Sequence, residues 1–215
     1  MPEGKLIVLE GVDGAGTTTH ARLLYEHLRR SHVPVHATAQ PSHGPIGSLL
    51  RQILTGRMVG GHAPHGPRPP AWTTMALLFA ADRMDHLESE LLPMLNEGIT
   101  VVCDRYDHSS VAYQSVAGGG PEAIAWIREL NRHARRPDLT LVLCVPPAVA
   151  AARRGQRQGR AEIFDDDQLQ QALCAFYERL GEHFPGERIV RIDAVGSTEE
   201  VGERVRAAVR AVVAT

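Results

Sequence analysis

Leu6-Ile7-Val8-Leu9-Glu10-Gly11-Val12-Asp13-Gly14-Ala15-Gly16-Thr17-Thr18-Thr19 is the stretch on which the fold turns. Leu6 to Leu9 form a short unbroken apolar run, as in a strand buried on both faces of a parallel sheet. Gly11 ends the run, and a helix is predicted from about Thr17 to Arg30. A glycine-rich turn between such a strand and a helix N-terminus suits phosphate. The glycines let backbone N–H groups converge on an anion, and the helix end adds partial positive charge. Gly11, Val12, Asp13, Gly14, Ala15, Gly16, Thr17, Thr18 and Thr19 are therefore candidate phosphate-binding residues. Thr18 occupies the Ser/Thr position whose hydroxyl reaches a metal ion in such loops. Thr17 departs from the pattern, because G-x-x-x-x-G-K-[ST] requires lysine there. The same residues also suit a plain strand-to-helix turn capped by threonine.

Outward from this stretch, strand and helix signals alternate. A weaker strand is predicted over Val33–Ala37 and a helix over Gly47–Arg57, with Ile46, Leu49, Leu50, Ile53 and Leu54 on one stripe. Residues 58–70, rich in Gly, Pro and His, read as an exposed, mobile loop. His62 and His65 within it lack the Cys or carboxylate companions of a metal site. A long helix is expected from about Trp72 to Asn96, ended by Gly98. Thr100–Cys103 is a strand that delivers Asp104-Arg105-Tyr106 at its carboxyl end. Helical segments follow over roughly 107–117 and 121–135, then the strand Leu139–Val145, a helix, a basic loop and a further helix. Arg188–Ile192 is the last strand and 198–213 the last helix. This alternation, without internal repeat or linker, implies one domain (1–215): a five-stranded parallel α/β sheet with helices on both faces. Ligands in such folds bind at the carboxyl ends of the strands, where the motifs above fall.

Composition narrows the class. The 215 residues are 43% apolar and 22% charged, with a formal net charge of −2. Nothing global points to nucleic acid or an anionic membrane, so any phosphate binding must be local. No apolar run reaches the roughly 18–20 residues that span a bilayer, and the start has no signal-peptide pattern. Cys103, Cys144 and Cys174 are too few for a disulfide framework, and the first two read as buried thiols. A cytoplasmic enzyme is expected.

Several segments taken together resemble one family. Leu9 to Gly16 resembles the P-loop of thymidylate kinases. Gln40-Pro41-Ser42-His43-Gly44-Pro45-Ile46-Gly47 with Arg51 is similar to that family's segment after its second strand. Leu78-Phe79-Ala80-Ala81-Asp82-Arg83, and Asp104-Arg105-Tyr106 with Ser109, Ala112, Tyr113 and Gln114, look like its two most diagnostic motifs. Arg153-Arg154-Gly155-Gln156-Arg157 lies where the family has its lid, about 153–165 here. The match runs in order from about residue 5 to 195.

The resemblance implies a three-layer P-loop NTPase-type fold, ATP and dTMP as substrates, Mg²⁺, and a homodimer packed through helices such as 72–96. Residues 11–19 and Arg153 would bind ATP. Phe79 would stack on the thymine and Arg83, one turn on, would hydrogen-bond it. Arg105 would clamp the acceptor phosphate, helped by Arg51, since a guanidinium matches phosphate bidentately. Ser109, Ser110, Tyr113 and Gln114 would line sugar and base, with Ser110 the better base contact and Tyr113 disfavouring a 2′-hydroxyl. Asp104 and Thr18 would hold the metal, and Asp13 would position the acceptor or a metal-bound water. The strand ending at Asp193-Ala194-Val195-Gly196 would lie beside the adenine.

The chain also departs from the family. Thr17 replaces lysine, Gln40 an acidic residue and Ala39 an arginine. Phosphoryl transfer needs developing charge to be neutralised, and a well-aimed cation is worth about 10³- to 10⁵-fold in rate. Arg153, Arg154, Arg157 and Arg160 crowd the lid. With Gly14, not arginine, in the P-loop, the resemblance assigns the γ-phosphate to a lid arginine, so Arg154 or Arg157 is expected to be catalytic. Three readings stand: a dTMP kinase, a nucleotide-binding protein that has lost catalysis, and a kinase for another pyrimidine monophosphate such as dUMP.

Overall fold

The computed structural model describes residues 3–59, 68–156, 164 and 166–213. Five strands, β1 (Leu6–Gly11), β2 (Val35–Ala39), β3 (Thr100–Asp104), β4 (Leu139–Cys144) and β5 (Ile189–Asp193), form one sheet in the order β2-β3-β1-β4-β5. Every pairing is parallel, with Leu9 level with Asp104 on one side and with Leu141 on the other. Central β1 is buried at all six positions. Its alternate residues serve opposite faces, as the pleat requires. Leu6 and Val8 join Val101 and Cys103 against Leu87, Leu91 and Leu95 of the long helix. Ile7, Leu9 and Val102 join Leu24 and Leu28 of α1 (Thr17–Arg30) and Val201, Val205 and Val209 of α10 (Thr198–Val213). Covered faces explain why β1 reads as a continuous apolar run.

The helical boundaries differ from the sequence expectations where proline or glycine intervenes. The second strand begins at Val35, because the Val33 N–H closes the end of α1 on the Leu28 carbonyl and Pro34 has no N–H to offer. The next helix, α2, spans Pro45–Leu54 rather than 47–57. Proline is preorganised for the first helical position, and Gly56 turns the chain out at φ +65°. The long helix is α3 (Trp72–His86), a π turn (Leu87–Leu91) and α4 (Leu92–Asn96), with Gly98 at φ +79° ending it. The widened turn sits just ahead of Pro93, whose ring and missing N–H disturb the α ladder. Helix α5 (Asp107–Gln114) stops short of 117 and passes through a π turn (Ser115–Gly119) into α6 (Gly120–Leu130), which ends five residues before 135. The fourth strand ends at Cys144 because Val145 precedes Pro146 and Pro147, which start α7 (Pro147–Gly155). Helices α8 (Asp167–Glu178) and α9 (Leu180–His183) precede β5, which is shifted by one residue from 188–192.

Cys103 and Cys174 are buried, whereas Cys144 is partly exposed, a correction to its reading as buried. No helix among the described residues is long and apolar enough to cross a membrane. His62 and His65, with most of the 58–70 loop, lie outside the described residues, as do Arg157 and Arg160.

Candidate active site

The carboxyl ends of β1 and β3 and the N-terminus of α1 meet at one cavity of about 270 Å³. Its walls include Asp13, Thr17, Thr18, Arg51, Phe79, Arg83, Asp104, Arg105, Ser109, Ser110, Tyr113 and Gln114. Val12, Ala15 and Thr19 belong to the same loop and first helical turn. The loop's shape depends on glycine. Gly14 and Gly16 sit at φ +90° and +96°, and a Cβ on Gly14 would lie 2.4 Å from the Ala150 carbonyl oxygen of α7. The Ala15 N–H closes the loop on the Val12 carbonyl (3.0 Å), and such a glycine-shaped turn at a helix N-terminus suits an anion.

Thr18 Oγ1 donates to Asp104 Oδ2 over 2.5 Å, and Asp104 Oδ1 is buried with no hydrogen-bond partner among the described residues. A hydroxyl and a carboxylate with a spare oxygen are hard donors, suited to Mg²⁺ rather than to a soft metal. No cluster of three or more metal-ligating His, Cys, Asp or Glu occurs among the described residues. A cation here would therefore complete its shell with water and ligand phosphate, as Mg²⁺ does.

Asp13 is held by three side chains from three elements. Arg105 donates to Oδ1 over 2.6 Å, while the Tyr113 hydroxyl and Gln170 Nε2 donate to Oδ2 over 2.9 and 3.0 Å. Arg105 adopts φ +69°, a left-handed conformation that costs a non-glycine residue on the order of 1 kcal/mol. Its N–H bonds the Leu9 carbonyl, and the turn aims the guanidinium at Asp13, the Gly11 carbonyl (2.8 Å) and Ser109 Oγ (3.2 Å). Burial alone would lower the pKa of Arg105, but Tyr113 and Asp13 beside it keep it well above the usual range. The phenol of Tyr113 is pushed up mainly by its burial.

Arg83 is 1% exposed and donates to Gln40 Oε1, Asn131 Oδ1, the Tyr106 carbonyl and Ser110 Oγ. It faces the cavity with Phe79 and Ser110 from beneath a network of protein acceptors. Arg51 ties the Pro41 and Ser42 carbonyls and Ser48 Oγ, bracing the segment after β2. Gln114 is buried, and its Oε1 has no partner among the described residues.

On the opposite rim, Arg154 Nη1 lies 3.2 Å from the Asp13 carbonyl oxygen and its Nη2 pairs with Asp167 Oδ1 at 2.8 Å. Arg153 donates to the Ala194 carbonyl at the end of β5. Burial, then Arg153 and Arg206, hold His20 below its usual pKa. Thr17 is buried and lines the cavity.

Four participants escaped the sequence reading. Glu10, fully buried at the end of β1, accepts from the Tyr106 and Ser109 N–H groups, the Ser109 hydroxyl and the Tyr177 hydroxyl. It thereby caps the start of α5. A carboxylate ending an otherwise apolar strand was the available signal, since such a group needs partners. Asn131, Gln170 and Tyr177 gave no local signal, because each resembles any other polar or aromatic residue of an amphipathic helix or turn.

A protein-family model described as thymidylate kinase matches residues 9–205. The probable thymidylate kinase of Pyrococcus abyssi is 37% identical over 209 residues, covering 96% of each chain. That of Thermococcus onnurineus is 39% identical over 196 residues, covering 91% of this chain and 92% of its own. The thymidylate kinase of Alkalilimnicola ehrlichii is 38% identical over 209 residues, covering 94% and 90%.

Proposed function

The chain belongs to the thymidylate kinase family, and on that premise we propose that it transfers the terminal phosphate of ATP to dTMP, giving ADP and dTDP. The observation that carries the residue assignment is the 2.6 Å contact between Arg105 and Asp13, which joins the acceptor cavity to the phosphate loop. ATP phosphates lie on the N–H groups of residues 11–19. The dTMP phosphate lies against Arg105, and its base lies between Phe79 and the Arg83–Ser110 pair, with Tyr113 and Gln114 at the sugar and base edge. Arg51 acts by bracing the segment beside the acceptor phosphate.

Thr18 and Asp104 are the residues that would hold Mg²⁺, which would supply neutralisation of phosphate charge. Asp13, fixed by Arg105 and Tyr113, orients the acceptor. Transfer is in-line and needs no covalent intermediate, so positioning and charge supply the rate. Arg154 stands nearest to the missing lysine's role, with Arg153 toward the adenine side at Ala194. Arg157, outside the described residues, is the alternative for that role. The assembly reading is a cytoplasmic homodimer packed through helices, for which Leu77 of α3, 51% exposed, is a candidate contact.

A coupled ADP-release assay with a panel of monophosphates tests the reading. Turnover of dTMP above dUMP and the purine monophosphates is expected. ATP binding without turnover would favour a protein that has lost catalysis, for which Thr17 is the motive, and preference for another acceptor would overturn the dTMP assignment.

A further inference from the structure

Helix α8 follows the arginine-rich segment and reaches back into the site with two residues seven apart, Gln170 and Tyr177. Tyr177 bonds Glu10 and Ser109, under the acceptor helix. Gln170 goes to the centre. It is 2% exposed, and its Nε2 spends one hydrogen on Asp13 Oδ2 (3.0 Å) and the other on the Phe164 carbonyl (2.8 Å). Phe164 in turn lines the acceptor cavity, and its ring packs edge-on against Tyr113 at 5.2 Å. Three residues before Gln170, on the same face, Asp167 holds Arg154, which reaches the backbone of Asp13. The first turns of α8 therefore grip Asp13 twice, at its carboxylate through Gln170 and at its carbonyl through Arg154.

We propose that Gln170 is a positioning residue for Asp13, coupling Phe164 and α8 to the carboxylate at the phosphate-transfer site. The residue type fits the task. Asp13 already carries the charge of Arg105 at one oxygen and needs its other oxygen fixed without a second cation. A neutral amide donor does this, and among neutral side chains only an amide offers a second hydrogen to bind Phe164 at once. Displacement of α8 would release Oδ2 to the Tyr113 hydroxyl alone. Asp13 would then lose the geometry that near-attack alignment demands, where small misplacements cost about 10²-fold.

The inference rests on the kinase reading, and one set of assays separates the two. Gln170→Met, close in volume, and Gln170→Glu, which replaces the donor by a like charge, are compared with wild type in the full chain with ATP and dTMP. Roughly a 10-fold loss of kcat is expected for Gln170→Met and a larger one for Gln170→Glu. Both KM values should stay within about twofold for Gln170→Met, while its thermal midpoint falls modestly, because Asp13 Oδ2 and the Phe164 carbonyl each lose a donor. In an Asp13→Ala background, Gln170→Met should cost less than twofold, because its partner is gone. A kcat near wild type for both variants, or full multiplication of the two losses, overturns the inference while wild-type turnover keeps the kinase reading. Absence of wild-type turnover with any monophosphate removes both.

Discussion

The Thr18 hydroxyl, in the first turn of α1, lies 2.5 Å from Asp104 Oδ2 at the end of β3, although 86 positions separate the two in the chain. Pairing of β1 with β3, with Leu9 opposite Asp104, sets this distance. The contact preorganises two oxygen donors. Thr18→Val, which keeps the shape and removes the hydroxyl, should raise the Mg²⁺ concentration for half-maximal rate about 10- to 100-fold. Asp104→Asn should lower kcat at saturating Mg²⁺ as well. Titration of turnover against Mg²⁺ measures both, and an unchanged Mg²⁺ dependence would remove the pair from the metal site.

Thr17 leaves the phosphate loop without its lysine, and Arg154 is the cation among the described lid residues that touches the loop. Arg154→Ala should reduce kcat by about 10³-fold with little change in dTMP KM. Arg157→Ala puts the same question to its neighbour. If both variants keep wild-type turnover, lid compensation is wrong. Thr17→Lys, made alone, should raise kcat or lower the KM for ATP, as steady-state kinetics will reveal.

Arg105 holds three acceptors in a left-handed turn, a geometry that depends on a planar, forked donor. Arg105→Lys preserves charge but loses the fork. It should lower kcat/KM for dTMP by about 10- to 100-fold, the equivalent of one or two charge-assisted hydrogen bonds. The KM for ATP should change far less.

Glu10 is a fully buried carboxylate with four donors. Glu10→Ala strands the buried Tyr106 and Ser109 N–H groups and leaves the Tyr177 hydroxyl with Ser109 alone. It should cost about 3–5 kcal/mol in urea unfolding, the range for breaking a buried charged network. A loss under about 1 kcal/mol would mean that water replaces the carboxylate.

His108 sets a pH-dependent term. Burial works against its charge, yet Asp107, the hydrogen bond to Glu187 and the nearby Glu10 outweigh it, and the folded pKa lies above 6.5. Arg136 faces the same group, pairing with Asp107 at 2.7 Å. A raised pKa contributes stability that is fully present below pH 6.5 and is lost as pH rises through the folded value. His108→Gln should therefore make stability rise more, or fall less, between about pH 6.5 and 8 than in wild type. His86 acts in the other window. Its burial outweighs Glu90, so its contribution is lost as pH falls below 6.5. Urea midpoints of wild type and His108→Gln, taken from about pH 5 to 8, separate the two.

Local chemistry made most of the architecture legible. Leu6–Leu9 announced a strand covered on both faces because every side chain on it is apolar, and the glycines announced a phosphate-type turn, which Gly14 and Gly16 make at positive φ. Asp104 and Arg105 could be placed at a strand's end because the apolar run stops there. Boundaries failed where one residue changed the local balance: Pro34, Pro45, Pro93 and Pro146 moved or widened elements that hydrophobic period alone had drawn. Long-range side-chain partners were not legible. Arg83 could be placed on a face with Phe79, but its hold on Gln40, Asn131, Tyr106 and Ser110 requires four segments to be folded together.

By itself, then, the sequence determined the fold class and singled out candidates for phosphate chemistry, because a glycine-rich turn, a strand-end carboxylate and clustered guanidiniums each act through short-range chemistry. Only the tertiary structure decided who holds them. Gln170 reaches Asp13 across 157 positions, and Tyr177 reaches Glu10 across 167. The physical reason is that a hydrogen bond is felt over about 3 Å, and only the packing of α8 against β4, α5 and α7 brings such distant residues within that range.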